Sequence, residues 1–392
     1  MDKKLRIGIG SDAIPPTIDG ISNCVDNYAR LINKDHGYAI MLAPYNPNQK
    51  EYKYDYPVYT YKSWAFFVNE EYRIGWPFKE CFRLDVRKMK LDLLHSHCPL
   101  ASSYLFKLVI EEQKIPHILT YHTKYEYEIN KRIPTKWAKD FAKNFILKNI
   151  ERADEVWVTS EGSAASLREM GYTGPYVVMP NGVDMPRGKA PQADINSIVR
   201  RYRIDKSVPT LLFVGRTMWY KNIRMIFDAL KRLKADGIKF QMLMVGHGKD
   251  EHAIRMYARK LGLKQEIIFT GEIFDRVDLR AFYSVADLFV FPSTFDTNGL
   301  VVREAAASKC PSVLIRGSCA SEGIEEDFTA FMCDENADDL ARVIKRAIGN
   351  PEKLREIGEN AFSNIYISWE DAVERAYKRY EKICAEWNYE DR

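Results

Sequence analysis

The feature of this chain that most constrains its fold is a series of short apolar, β-branched runs that alternates with helical stretches and then begins again. In the first half the runs are KLRIGIGSD, YAIMLAP, LDLLHSH, PHILTYHT, EVWVTS and YVVMP. Runs that are short and apolar throughout are typical of parallel strands covered by helices on both faces of the sheet. The first half is therefore predicted to form an α/β domain.

A second series follows a polar, proline-containing stretch from Pro186 to Ser207, which we interpret as a linker. Its runs are TLLFVGR, FQMLMVGHG, EIIFTGE, DLFVFPS, PSVLIRG and the weaker AFMCD. Apolar residues at helical spacing lie between the runs, at about 21–34, 99–113, 135–152, 222–236, 250–263, 300–308 and 337–349. We therefore expect two doubly wound, Rossmann-like domains. Because ligands bind at the carboxyl ends of parallel strands, we expect these domains to face each other across a ligand-binding cleft.

The predicted domains span residues 1–186 and 187–368. A chain of 392 residues, 46% of them hydrophobic, is long enough to form two separate cores. The remaining residues, 369–392, contain an apolar and aromatic helical pattern. We expect that helix to pack back against the first domain.

Composition narrows the class of protein. No stretch reaches the roughly 20 apolar residues of a membrane-spanning helix, so we expect a soluble or peripheral protein without a signal peptide. The seven cysteines are scattered without a C-x-x-C pair, which favours a reducing cytoplasm. The net charge of +4 is too small to indicate nucleic-acid binding, but it permits contact with an anionic membrane.

Two cations lie at or shortly after the end of the run TLLFVGR. Arg216 ends the run, and Lys221 lies just before the next helical stretch. Fixed cations at the carboxyl end of a strand suit a diphosphate, because charge-assisted hydrogen bonds are among the strongest in proteins. The alternative is a solvated Arg and Lys on an ordinary loop, and the pair alone does not decide between the two.

A helix is predicted to begin near Gly299, within FPSTFDTNGLVVREAAASKCP. Its first free N–H groups, which suit a phosphate, belong to Gly299, Leu300 and Val301. Glu304 lies one turn further on and can accept two ribose hydroxyls, while Asp296 in the preceding loop can hold sugar hydroxyls. The alternative is structural: Asp296 or Asn298 caps the helix, and Glu304 lies on a solvated face.

In order along the chain, these motifs resemble the retaining glycosyltransferases of family 4, and the resemblance covers nearly the whole sequence. That family has a G-R-x4-K-G element for the donor phosphates, matched here by Gly215, Arg216 and Lys221. It also has two glutamates eight residues apart, matched by Asp296 and Glu304. Weaker matches are Pro180 to Asp184, Gly246 to Gly248, Thr270-Gly271 and Ala286-Asp287.

The resemblance implies a GT-B fold, with acceptor binding in residues 1–186 and donor binding in residues 187–368. It implies a nucleobase near Gly246 and Ile273 and a transfer that needs neither a metal nor another cofactor. Two positions depart from the family pattern: Asn222 replaces the last glycine, and Asp296 replaces the first glutamate. Because aspartate is one methylene shorter, the second departure leaves the identity of the donor sugar open.

The first domain carries two further elements of the resemblance. The loop from Ser11 to Ser22 is similar to the P-P-x-x-G-G loop of the family, and Gly20 in it allows close approach of a ligand to the backbone. His122, which follows PHILTY, matches a family histidine that contacts the donor sugar. His95 and His97 end a neighbouring run, but no Asp-x-Asp motif accompanies these histidines, so no metal site is predicted.

The segments after His122 point to the acceptor. The run TYHTKYEYEI, with Tyr125 and Tyr127, is similar to bacterial diacylglycerol glucosyltransferases of the family, which implies a lipid acceptor. The basic stretch that follows has aromatic residues at four-residue spacing, as in helices that lie in a membrane interface. These residues are Trp137, Phe141 and Phe145. The alternative is that all three face the core, and a second candidate lipid contact consists of Trp64, Phe66 and Phe67.

The sequence thus predicts a retaining hexosyltransferase, with a nucleotide-sugar donor such as UDP-glucose and a membrane-lipid acceptor such as diacylglycerol. We expect it in the cytoplasm, in peripheral contact with the inner face of the cell membrane. The residues expected to support catalysis are His122, Arg216, Lys221, Asp296 and Glu304. A soluble acceptor and a non-catalytic nucleotide-sugar-binding protein are the open alternatives. A dinucleotide-dependent oxidoreductase is disfavoured, because Ala13 interrupts the G-x-G-x-x-G fingerprint.

Overall fold

The computed structural model describes residues 4–17, 20–47, 52–66, 69–75, 80–100, 102–123, 125–296 and 299–391. These residues form two compact units. The first comprises the chain up to Asn181 together with the segment from Trp369 onward, and the second comprises Gly182–Ser368.

The first unit contains a parallel sheet, a hairpin and helices. Its elements are β1 (Arg6–Gly10), α1 (Gly20–Leu31), β2 (Tyr38–Pro44), β3 (Val58–Tyr61), β4 (Ser63–Phe66), β5 (Asn69–Gly75), α2 (Glu80–Met89), β6 (Leu93–Ser96), α3 (Ser102–Gln113), β7 (His117–Tyr121), α4 (Tyr125–Arg132), α5 (Lys136–Ile150), β8 (Glu155–Val158), α6 (Glu161–Glu169) and β9 (Val177–Val178). The last helix of the chain, numbered α14 below, also belongs to it.

The sheet of the first unit has the order β3-β2-β1-β6-β7-β8-β9, and all neighbouring strands are parallel. The central strand β1 is buried on both faces, since Ile7 and Ile9 lie on one and Gly8 and Gly10 on the other, as expected for a strand covered on both sides. The chain winds outward in opposite directions from β1 and β6. Such a reversal places a crevice beyond the carboxyl ends of these two strands.

The second unit repeats this architecture. Its elements are α7 (Gln192–Tyr202), β10 (Thr210–Val214), α8 (Ile223–Ala235), β11 (Gln241–Val245), α9 (Glu251–Lys260), β12 (Ile267–Gly271), α10 (Arg276–Val285), β13 (Leu288–Phe291), α11 (Leu300–Ala307), β14 (Ser312–Ile315), β15 (Phe331–Cys333), α12 (Ala337–Ile348) and α13 (Pro351–Asn364). The strands form a parallel sheet in the order β12-β11-β10-β13-β14-β15, with its reversal between β10 and β13.

The apolar runs of the sequence contain strands in both halves, and the predicted α/β class is confirmed. The structure adds β3 at the edge of the first sheet and the antiparallel hairpin β4–β5, which the alternation of runs did not indicate. The expected linker from Pro186 to Ser207 also differs, because α7 forms within it. Ile195 and Ile198 of that helix are buried in the core of the second unit.

Helix α14 (Trp369–Glu386) packs within the first unit through specific polar contacts. Tyr380 Oη lies 2.6 Å from His95 Nδ1, and both residues are fully buried. Arg379 Nε donates to Glu155 at 2.9 Å. Tyr377 Oη accepts a hydrogen bond from the backbone N–H of Leu5 at 3.1 Å. The helix therefore contacts residues that lie within or next to three strands of the sheet.

Across the described ranges, no helix combines the length and the apolar character needed to cross a bilayer.

A buried polar chain connects three elements of the first unit. Tyr61 Oη of β3 donates to Ser102 Oγ of α3, which in turn donates to Asp12 Oδ1 just after β1. Asp12 Oδ2 is buried and has no hydrogen-bond partner among the described residues. Burial raises the pKa of Asp12 from 3.8 to about 7, against the opposing effect of the Ser102 hydrogen bonds. The carboxyl group therefore keeps its proton in the folded state over a range where the unfolded chain has lost it.

Replacing Asp12 with asparagine removes this linkage between folding and pH. Between about pH 4 and about pH 7 the folded wild type binds one more proton than the unfolded chain, so its stability falls as pH rises. We expect the free energy of unfolding of Asp12→Asn, relative to wild type, to rise by about 1.4 kcal/mol per pH unit in that range and then level off. Denaturant unfolding at several pH values measures it.

The matched control is Asp35→Asn, which removes an exposed carboxylate from the same unit. If Asp12→Asn and wild type lose stability in parallel as pH rises, the linkage proposed for Asp12 is wrong.

Candidate functional site

Two loops at the carboxyl edge of the second sheet are fixed to each other by their backbones. The loop after β10 donates from Thr217 N to His247 O at 3.2 Å, and Thr217 Oγ1 donates to Gly246 O at 3.1 Å. A Cβ atom on Gly246 would collide with the backbone of Gly215, and one on Gly248 with that of Thr217. The glycine turn after β11 is thus needed to hold the loop that carries Arg216 and Lys221.

Lys221 lies at the end of a short 3-10 turn and is 7% exposed. Its ammonium group donates to Asp296 Oδ1 at 2.5 Å. Asp296 lies on the loop after β13. An ammonium group leaves water at a high free-energy cost unless it is paired, so this ion pair explains how the lysine stays buried. The solvated-loop alternative is wrong for Lys221, and the helix-cap alternative is not observed for Asp296.

Arg216 lies on the same loop and is exposed. Its guanidinium carbon is 5.9 Å from the centre of the Tyr220 ring, and Lys221 Nζ is 5.5 Å from that centre. Tyr220 also packs against Phe295 at a ring separation of 4.8 Å. The two predicted cations therefore share one aromatic neighbour, which the motif-based analysis did not identify.

Helix α11 begins as predicted, after Gly299. This glycine is the N-cap, and its φ of 53° lies in the left-handed region, which favours a residue without Cβ. No side-chain cap bonds to the first turn from the described residues. Leu300 and Val301 are half-buried and pack against the core. The predicted Asn298 lies outside the described residues.

Glu304 is buried on α11, so the solvated-face alternative is wrong for it. Its Oε1 accepts from Arg276 Nη1 at 2.9 Å, and its Oε2 accepts from Tyr283 Oη at 3.0 Å. Burial raises the pKa of Glu304, and Arg276 acts in the opposite direction. Neither partner is apparent from the motifs, because both come from α10 and meet Glu304 only in the folded state. Each carboxylate oxygen keeps a second lone pair for a ligand hydroxyl.

In the first unit, His97 follows β6 and His122 follows β7. His97 Nδ1 lies 2.9 Å from His122 Nε2, and the two rings are stacked at an interplanar angle of 16°. Burial lowers the pKa of His122 to about 4 and holds the pKa of His97 well below its usual value. Both imidazoles are therefore neutral near pH 7. Cys24 of α1, which the sequence analysis did not single out, has its Sγ 4.0 Å from His97 Nδ1.

Gly20, predicted to approach a ligand, is the first residue of α1 and is exposed. A Cβ atom built on it meets no atom of the described residues within 4 Å. This part of the structure therefore leaves open space beside it. Ile273, predicted near the nucleobase, follows β12 and packs at the margin of the second core.

Helix α5 exposes its aromatic residues. Trp137 is 75% exposed, Phe141 70% and Phe145 42%. Ile146 and Ile150 on the opposite side of the helix are buried. The core-facing alternative for the three aromatic residues is therefore wrong, and α5 presents an apolar strip to the surroundings of the first unit.

The remaining acceptor candidates have separate outcomes. Tyr125, predicted to contact the acceptor, is buried and packs edge-on against Tyr121 at a ring separation of 5.6 Å. Tyr125 therefore packs in the core at the start of α4, and its predicted contact with the acceptor stays a prediction. The side chains of Tyr127 and Phe66, and residue Phe67, lie outside the described part of the chain. Trp64 is 49% exposed.

Comparison with protein families matches both units. Residues 18–187 match the model described as Glycosyltransferase Family 4, and residues 194–364 match the model described as Glycosyl transferases group 1. The two matches are consecutive and together span most of the chain. The predicted resemblance to family 4 is confirmed.

Curated relatives extend the match. The chain is 24% identical over 386 residues to the alpha-monoglucosyldiacylglycerol synthase of Streptococcus pneumoniae, covering 94% of this chain and 86% of the relative. It is 21% identical over 369 residues to the enzyme of the same name from Acholeplasma laidlawii, covering 91% of this chain and 92% of the relative. Both alignments extend over nearly all of this chain.

Solved structures match the whole fold. A sucrose-phosphate synthase from Thermosynechococcus elongatus superposes with a TM-score of 0.76 at 20% identity, covering 97% of this chain and 100% of the other. Anabaena HepE in complex with UDP superposes with a TM-score of 0.77 at 16% identity, covering 96% and 100%. The chain therefore belongs to the glycosyltransferases of the GT-B fold, with a family 4 domain followed by a group 1 domain.

Proposed function

We propose that this glycosyltransferase moves glucose from UDP-glucose to the hydroxyl of a membrane lipid such as diacylglycerol, with retention of the anomeric configuration. The observation that carries the proposal is the buried Lys221, held by Asp296 at the carboxyl edge of the second sheet. The names of the two curated relatives support a glucosyl group and a diacylglycerol acceptor. Reaction at the inner face of the cell membrane follows from such an acceptor.

The donor diphosphate would bind where Lys221 and Arg216 present positive charge. Arg216 is exposed and free to reorient, while Lys221 is fixed by its turn and by Asp296. The N–H groups at the start of α11, from Gly299 onward, add the positive end of a helix dipole. A diphosphate arriving at Lys221 replaces Asp296 as its anionic partner, so donor binding and rearrangement of the ion pair are linked.

Glu304 would hold the ribose. Arg276 and Tyr283 each bind one of its oxygens, which fixes the plane of the carboxylate before a ligand arrives. A carboxylate held in this way loses little conformational entropy on binding two hydroxyls. The nucleobase would then lie towards the loops after β11 and β12, near Gly246 and Ile273.

The chemical step we propose is a displacement on one face of the sugar. The bond from the anomeric carbon to the β-phosphate oxygen breaks with its electron pair going to the phosphate, and the acceptor oxygen forms the new bond to the same carbon. The acceptor proton passes to the departing phosphate oxygen, so no protein base is assigned. Lys221 and Arg216 stabilise the charge that accumulates on the phosphate.

His122 would contact the donor sugar as a neutral imidazole. Its lowered pKa means that it adds no positive charge beside a sugar that is itself becoming positive. Its Nε2 is taken up by His97, which leaves Nδ1 to face a hydroxyl. Asp296, once released from Lys221, is placed to bind sugar hydroxyls.

Helix α5 would bring the first unit to the membrane. Two exposed lysines, Lys136 and Lys148, lie on the same helix as its exposed aromatic residues. Aromatic rings suit the headgroup boundary, and each basic residue near an anionic surface contributes about 1 kcal/mol. No ordinary packing need within the described residues accounts for two aromatic side chains more than two-thirds exposed.

Lys221→Met tests the donor site. Methionine keeps the length of the side chain and removes its charge, so phosphate stabilisation in the transition state is lost. We expect turnover to fall by about 100-fold or more, as for other groups that stabilise a developing anion. Transfer of labelled glucose from UDP-glucose to diacylglycerol in vesicles is the measurement.

The control for Lys221→Met is Lys231→Met, which removes an exposed lysine from α8. It should retain wild-type turnover. A Lys221→Met protein that folds normally and transfers glucose at the wild-type rate would show that the proposed donor site is wrong.

The double substitution Trp137→Ser and Phe141→Ser tests the membrane role of α5. Both side chains are exposed, so the change should leave the unfolding midpoint nearly unaltered. We expect co-sedimentation with vesicles containing anionic lipid to fall several-fold, because two interfacial anchors are lost. Transfer to diacylglycerol in vesicles should fall with it.

Phe328→Ser, which removes an exposed aromatic residue from the second unit, is the matched control and should bind vesicles like wild type. If the double variant of α5 also binds like wild type, α5 is not the membrane contact.

A further inference from the structure

Three side chains with metal-binding atoms converge beyond the carboxyl ends of β6 and β7. They are Cys24 of α1, His97 and His122. Cys24 Sγ lies 4.0 Å from His97 Nδ1, and His97 Nδ1 lies 2.9 Å from His122 Nε2. One potential ligand atom from each residue lies within 4.8 Å of those of the other two. The residues come from separate elements, and only the fold of the first unit brings them together.

The donor set and its spacing suit zinc. Zinc binds thiolate sulfur at about 2.3 Å and imidazole nitrogen at about 2.0–2.1 Å, usually with tetrahedral geometry. Ligand atoms in such a site lie roughly 3.3–3.6 Å apart, which follows from those bond lengths. The distances from His97 Nδ1 depart from these values by about half an ångström, one being longer and one shorter. Small rotations of the side chains are enough to form the site.

Burial gives the site one open side. Cys24 and His97 are fully buried, whereas His122 is half-buried. An ion therefore enters past His122 and completes its coordination there with water. Three protein ligands and one open position are typical of zinc sites that exchange a ligand.

We propose that Cys24, His97 and His122 form a binding site for zinc or a similar thiophilic divalent cation, and that the bound ion inhibits glycosyl transfer. Binding releases the thiol proton of Cys24 to solvent and replaces the hydrogen bond between the two imidazoles by two bonds to the metal. The proton of that hydrogen bond moves to the other nitrogen of its ring. Inhibition rests on the proposed function, because the ion and the water that completes its coordination beside His122 would occupy space that the donor sugar needs.

Cobalt provides a direct readout of the site, independent of activity. The full-length protein, stripped of metal with a chelator, is titrated with Co²⁺. We expect one equivalent to bind, with a sulfur-to-cobalt charge-transfer band and the intense visible bands of tetrahedral cobalt. Zinc should displace it. Absence of a charge-transfer band in the wild type would overturn the proposal.

Cys24→Ser should lose the charge-transfer band and bind zinc at least about tenfold more weakly than wild type. Loss of a residue that only supports a metal ligand already lowers affinity by about tenfold, and Cys24 is proposed to be a ligand itself. Cys384→Ser, a half-buried thiol in the same unit, should keep both properties. A band that persists in Cys24→Ser assigns the metal elsewhere and overturns the proposal. If Cys24→Ser folds poorly, His122→Gln is the second variant. It should also bind the metal more weakly than wild type.

Inhibition is measured on the same proteins. Zinc should inhibit transfer by the wild type and by Cys384→Ser, and at least about tenfold more zinc should be needed to inhibit Cys24→Ser. Cobalt binding through Cys24 without inhibition by zinc would overturn the inhibitory part. If the proposed function is wrong but the metal site exists, the protein will bind cobalt through Cys24 and transfer no glucose.

Discussion

The second unit is organised around an ion pair between the buried Lys221 and the half-buried Asp296. The two residues come from the loops after β10 and β13, the strands between which the sheet order reverses. Removing the partner of a buried charge is destabilising, so each loop restrains the other. The donor diphosphate, which carries two negative charges, can replace Asp296 as the partner of Lys221 without leaving that charge uncompensated. The pair therefore provides both the order of the empty site and a place for the donor.

The fold was predictable from the sequence because both sheets are parallel and buried on two faces. Such strands are apolar throughout, so each core strand of the second sheet was visible as a run. The edge strand β3 was missed because it is only partly buried, so its sequence need not be apolar throughout. Helix α7 was missed because its few core residues, such as Ile195 and Ile198, lie among charged residues and close to prolines.

The site was predictable only where a residue acts through its place along the chain. Gly246 and Gly299 lie in turns, and Lys221 lies in the short turn that leads from β10 to α8, so local patterns identify them. Arg276 and Cys24 contact residues that are distant in the chain. The spacing of nearby residues does not predict such contacts. Exposure is also a property of the folded state. It separates Trp137, which is exposed, from Tyr125, which is buried.

The measurement that tests this account most directly is the affinity for UDP of Asp296→Asn, determined by calorimetry beside wild type. Asparagine keeps the size of the side chain but no longer competes as an anion for Lys221. The account predicts that UDP binds several-fold more tightly to the variant, while glucose transfer becomes slower because the sugar loses its carboxylate. UDP affinity that is unchanged or weaker would contradict the exchange of partners at Lys221.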